Sequence, residues 1–166
     1  MRRIVLLLGI CFCISGLYAQ KLETNPLDDG DNYEIRIKNF DKLFGERFTQ
    51  ENLAPLPADK AEQRETWRNE CAGKLLTAEL KQALKKIGNE EGGGFWITFY
   101  FDKEGKVLTV KFMMSVSVYI NLSTKTLKAL YNLAMQEKMN PENYSFITKH
   151  AYAVDGFELM KRAIWE

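Results

Sequence analysis

The side chains able to perform covalent chemistry are few in this sequence, and they are poorly placed for it. His150 is the single histidine of the chain. A Ser-His-Asp or Cys-His relay needs a nucleophile delivered to the imidazole, and no G-x-S-x-G or comparable signature accompanies it. His150 is therefore expected to be structural. The three cysteines are Cys11, Cys13 and Cys71, and no His pair or H-E-x-x-H occurs, so a zinc site is not expected. Asp28-Asp29-Gly30-Asp31 lacks the spacing and the closing Glu of a calcium loop. Gly92-Gly93-Gly94 follows a helical pattern and precedes a strand pattern, the reverse of a phosphate loop, with Glu90 and Glu91 beside it. No metal or cofactor is expected. Two converging carboxylates could hydrolyse a glycoside, but Glu62, Glu65 and Glu70 read as the wet face of a helix.

Binding chemistry is better represented. Trp67, Trp96, Tyr100, Tyr119 and Trp165 carry flat apolar rings that can stack on a ligand, although such rings more often fill a core. The run Leu108–Asn121 (LTVKFMMSVSVYIN) has an apolar residue at every even position, with Ser117 and Tyr119 in the opposite set. Strand alternation held for that long exceeds one ordinary strand. It predicts a long, bent strand whose second half needs a neighbour or a partner. Trp96, Tyr100, Ser117 and Tyr119 are the residues expected to face that partner.

The elements that must position these groups follow from periodicity. Residues 20–32 are polar and broken by Pro26 and Gly30, a flexible lead-in. A domain over 33–166 follows. Tyr33–Lys38 alternates as a short strand, and Phe40, Leu43, Phe44 and Phe48 fit a short helix. Pro55 and Pro57 break the chain before helices over 59–87: Trp67 and Cys71 lie four apart, and Leu80, Ala83, Leu84 and Ile87 form a stripe ending at Gly88, the expected cap. Phe95–Phe101 is a strand rich in aromatic and β-branched residues, and Asp102–Gly105 turns it back. Ser123 caps a helix that Asn140-Pro141 ends, over 123–139. Tyr144–Val154 reads as a strand, Asp155-Gly156 as a hairpin turn, and 157–164 as a returning strand, with a terminal helix as the alternative. The fold expected is α+β: an antiparallel sheet made of a long hairpin, 95–121, and strands over 144–164, packed on the helices.

Met1-Arg2-Arg3, the apolar run Ile4–Ile14 and Ser15–Ala19 have the form of a secretory signal, with cleavage expected after Ala19. The run is too short to span a bilayer, and the residues before Cys11 and Cys13 do not suit a lipoprotein. Loss of Arg2 and Arg3 from the 23 basic residues leaves 21 against 22 acidic ones, a net charge of −1. Such a balance argues against a nucleic-acid partner. One remaining cysteine permits no internal disulfide, so a hydrophobic core must hold the fold in a periplasmic or extracellular setting.

The run Phe99–Val107 (FYFDKEGKV), followed by a second strand, a helix and Pro141, resembles the β-β-α core of TonB C-terminal domains. The A-Q junction and the small α+β layout also resemble secreted Bacteroidetes proteins in families of unknown function. These resemblances imply a fold type and a habit of pairing sheet edges with partners, and they carry over no catalytic residue. The function expected is non-enzymatic binding of a protein or peptide through a sheet edge or face. The alternatives are a small-ligand or carbohydrate binder, and a carboxylate-dependent hydrolase.

Overall fold

The computed structural model describes residues 21–28, 30–90 and 93–165. The segment read as an export signal, residues 1–19, lies outside the described residues, as do Glu91 and Gly92 of the glycine-rich joint. The elements in chain order are β1 (Leu22–Pro26), β2 (Asn32–Ile37), α1 (Phe40–Phe44), α2 (Ala61–Leu75), α3 (Ala78–Glu90), β3 (Phe95–Phe101), β4 (Val107–Ser115), α4 (Val116–Asn121), α5 (Thr124–Ala134), β5 (Ala153–Glu158) and α6 (Leu159–Trp165). The strands form one antiparallel sheet in the order β1-β2-β4-β3-β5. The α+β architecture is as expected, but the membership of the sheet is not.

The centre of the sheet obeys its sequence pattern. Phe95, Ile97, Phe99 and Phe101 are fully buried on one face, against Phe112 and Met114 of β4. Each buried Phe contributes roughly 2–3 kcal/mol of transfer free energy. Trp67 of α2 meets Phe99 and Phe101 edge-on at 5.3 Å, and its indole N–H donates to the Lys138 carbonyl at 3.1 Å. The hairpin turn forms where expected. The Asp102 carboxylate accepts from the Glu104 and Lys106 amides, and Gly105 takes φ +76°, a conformation that favours glycine. Ser123 caps α5 by accepting from the Thr126 amide at 3.1 Å.

Four expectations are corrected. First, Leu22–Pro26, read as part of a flexible lead-in, is strand β1, paired along its length with β2. The ladder supplied by β2 makes it a strand; its own composition does not. Second, the long strand expected over Leu108–Asn121, the returning arm of the 95–121 hairpin, stops at Ser115, and Val116–Asn121 is helix α4. The neighbours of β4 end there, at Asn32 and Phe95. Beyond Ser115 the backbone has no strand to bond, and a helix satisfies its amides internally. The even-odd parity breaks with it: Val118 is buried but Ile120 is 68% exposed. Third, Tyr144–Val154 is mostly irregular, and Asp155-Gly156 is no turn but the middle of β5. Gly156 serves close approach instead: a Cβ there would overlap the Ile97 carbonyl of β3. The chain then continues as helix α6, the alternative for 157–164. Fourth, Gly88 is not a cap but lies within α3, where a Cβ would press on Ile164 and Met160 of α6.

Candidate functional site

The sheet has two edges, β1 and β5, and a strand edge is a ready set of backbone donors and acceptors. Two bonds fix which residues of β1 face β2: the Lys38 amide donates to the Lys21 carbonyl at 2.7 Å, and Leu27 to Asn32 at 2.9 Å. In an antiparallel ladder the bonding residues alternate, so Lys21, Glu23, Asn25 and Leu27 face inward to β2. Leu22, Thr24 and Pro26 therefore turn their backbone groups outward. Among the described residues nothing pairs with the outward groups of Leu22 and Thr24. Pro26 offers a carbonyl but no N–H.

A groove of about 230 Å³ runs along this open edge, lined by Leu22, Ile35, Tyr119, Leu122 and Leu127, with Thr24 and Thr124 at its margin. Helices α4 and α5 supply its far wall. Tyr119, brought there by the helical turn after Ser115, stacks on Tyr33 of β2 with ring centroids 4.3 Å apart. Leu22 and Thr24 stand on the same side of the sheet as Ile35 and Tyr33, because paired residues share a face. A strand added beside β1 would direct every second side chain into this groove.

The opposite edge is partly covered. The Tyr152 amide donates to Asn52 at 2.9 Å and its carbonyl accepts from Ala54 at 2.8 Å. The outward Gly156 amide is taken by the neighbouring Asp155 carboxylate at 2.7 Å. That carboxylate, 1% exposed, also accepts from Arg68 Nε at 2.6 Å and from the Tyr144 hydroxyl. Burial, together with the Asp155 charge, pushes the Tyr144 phenol well above its ordinary range, so it remains a donor. Helix α6 begins at Leu159 and ends the strand.

Beside β5 lies a second concavity of about 380 Å³, bounded by Trp96 of β3, Trp165 of α6 and the Glu65–Arg68 side of α2. Arg162 Nη2 pairs with Glu65 at 2.7 Å, and Arg68 Nη1 with the same carboxylate at 3.0 Å. These partners hold the Glu65 carboxyl below its ordinary range. A carboxyl so held is an ionised acceptor and does not suit the role of general acid.

The four sequence-predicted binding residues are not brought together. Tyr119 lies in the β1 groove and Trp96 in the cleft beside β5. Tyr100 is covered: Phe48 stacks on it at 4.6 Å, within a cluster containing Phe40, Phe44 and Tyr152. Burial pushes its phenol up to about 12. Phe40 holds α1 against the sheet beneath the Lys111 ammonium, 4.2 Å from its ring. Ser117 bonds Ser115 at 2.9 Å, at the start of α4. Of the other candidates, Cys71 is fully buried and its thiol is pushed up by burial, and His150 is exposed. Among the described residues no three His, Cys, Asp or Glu side chains converge to hold a metal ion. Sequence reasoning missed Leu22 and Thr24, whose only signal was a short alternation inside a Pro- and Gly-broken segment. It also missed the Arg68–Asp155 pair, 87 residues apart.

No family model matches the chain, and no curated protein is similar to it. Among solved structures, a DUF5043 family protein from Bacteroides uniformis is similar over 84% of this chain and 84% of that chain, at 11% identity and a TM-score of 0.49.

Proposed function

We propose that this is an exported, non-enzymatic protein that binds an extended segment of a partner protein by adding it as a strand to β1. The observation that carries the reading is the conjunction at that edge: outward backbone groups of Leu22 and Thr24 without partners among the described residues, beside a groove lined by Ile35, Tyr119, Leu122 and Leu127. Main-chain bonds would give affinity, and apolar side chains at alternate positions would give specificity. Pro26 ends the donors of the edge, so the added strand is short. Export is supported by the order of Met1–Ala19: a basic start, an apolar run, then small residues. Among the described residues no helix is long and apolar enough to cross a membrane.

Selection of displayed random peptides on the immobilised protein tests the binding. Peptides with apolar residues at alternate positions are expected, and Thr24→Pro is expected to lose them. Proline at an outward edge position removes the outward donor while sparing the ladder to β2. Recovery of the same peptides on Thr24→Pro would refute strand addition at β1. Sequencing of the exported protein's N-terminus is expected to begin at Gln20.

A further inference from the structure

The cleft beside β5 is independent of the β1 edge and has its own chemistry. Trp165 is 80% exposed and Trp96 44% exposed, and both indoles line the same concavity. Left in water, two large apolar rings forgo the burial that such side chains normally find. The rest of the lining is largely polar, a floor of Glu65, Arg68, Asn69, Glu158, Lys161 and Arg162. This floor is built from within. Arg68 is fixed by Asp155, a carboxylate taken almost wholly out of water and offset by bonds from Arg68, Tyr144 and Gly156. Arg162 is fixed by Glu65 and Asn69, and its guanidinium lies 5.1 Å from the Phe157 ring centre. Gly156 of β5 also lines the cleft, alongside Trp96 of β3 and the α2 side chains.

We propose that this cleft binds a saccharide, with the C–H face of a pyranose ring against the Trp96 and Trp165 indoles and its hydroxyls on Asn69, Glu65 and Lys161. The alternatives fit less well. Both guanidinium groups are already neutralised by Glu65 and Asp155, so a phosphate or sulfate would meet Lys161 as the one cation of the cleft without an ion pair among the described residues. A purely apolar molecule would strip water from the polar floor and return no hydrogen bonds. A polyhydroxylated ring has the two kinds of surface that the cleft presents: an apolar face for the indoles and an equator of donors and acceptors for the floor.

The test is calorimetric titration of the full chain with hexasaccharides of glucose, mannose, galactose and galacturonate. Saturable binding of at least one is expected. Trp96→Ala and Trp165→Ala are each expected to weaken it roughly tenfold or more. Both side chains are exposed, so an unchanged melting curve by circular dichroism checks that these variants fold. Lys161→Gln is expected to weaken the galacturonate hexamer more than any neutral one. Thr24→Pro, at the other edge, is expected to leave saccharide binding intact. If none of the four binds at millimolar concentration, or if binding is unmoved by both tryptophan variants, the proposal is overturned.

Discussion

The two edges of this sheet are of similar length and pose the same physical problem. On each, every second residue points its backbone away from the sheet: Leu22, Thr24 and Pro26 on β1, and Val154, Gly156 and Glu158 on β5. At β5 neighbours cover part of the edge. Tyr152 is bonded on both sides to the 52–54 segment, Asp155 folds its carboxylate onto Gly156, and α6 cuts the strand short. That closure costs the desolvation of a carboxylate, which three donors and the Arg68 charge offset. At β1 no such closure is built among the described residues. Among the described residues the edge is blunted by Lys21 at its start and Pro26 at its end, devices that limit pairing between copies. The difference teaches that, among the described residues, the edge with fewer partners is the one beside an apolar groove.

The comparison breaks most readily at Asp155. Asp155→Ala removes the acceptor of Arg68, Tyr144 and Gly156 together, and a loss of about 3 kcal/mol is expected. Urea unfolding measures it. A loss under about 1 kcal/mol would mean that the carboxylate does not close this edge. Gly156→Ala follows at roughly 2 kcal/mol, because the added methyl overlaps the Ile97 carbonyl and pushes β5 off β3. Were Gly156 a turn residue, Gly156→Asn would be tolerated better than Gly156→Ala; in a strand pressed on its neighbour it is worse. Alkaline pH is the next lever. Burial raises the Tyr100 phenol from 10.0 to about 12, so the folded state holds this proton more tightly than the unfolded chain. Its stabilisation is complete below about pH 10, the unfolded value, and is lost as pH rises from there through about 12. Melting temperature against pH measures it, and Tyr100→Phe is expected to lessen the fall, the remainder coming from Cys71, Tyr131, Tyr144 and Tyr152, whose protons burial also holds.

The contrast between the edges was only half legible in the sequence. The inner hairpin was readable because local signals agreed: alternation over Phe95–Phe101, a turn at Asp102–Gly105, and the Ser123 cap. The edges depend on residues distant in sequence. β1 is a strand because β2 pairs with it, and its own residues, LETNP, show little strand character. Val116–Val118 carries a strand pattern yet forms a helix, because its strand partners have already ended. Asp-Gly is a strong turn signal, and at 155–156 it was overridden by a close strand approach that sequence does not display. The candidate sites were legible to the same extent. Trp96 and Tyr119, expected to face a partner, do line clefts, but two different ones. Tyr100 had the same signature and is roofed by Phe48, a contact set by the docking of α1.

The smallest expected effect is also the sharpest test of the asymmetry. Thr24→Pro is expected to change stability by under about 1 kcal/mol, since the amide it removes bonds nothing within the described fold. Proline at Glu23, one residue away, deletes a donor to β2 and is expected to cost about 3 kcal/mol or to release β1 from the sheet. Hydrogen exchange reads the same distinction without mutation. The outward Leu22 and Thr24 amides should exchange near the rate of a free chain, whereas Gly156, equally an edge amide, is held by Asp155 and should be protected. On binding a selected peptide, Leu22 and Thr24 should gain protection while Gly156 stays as it was. Equal protection of Thr24 and Gly156 in the free protein would mean that β1 is already covered. The open edge would then be closed by the chain itself, and a partner strand would have to displace whatever covers it.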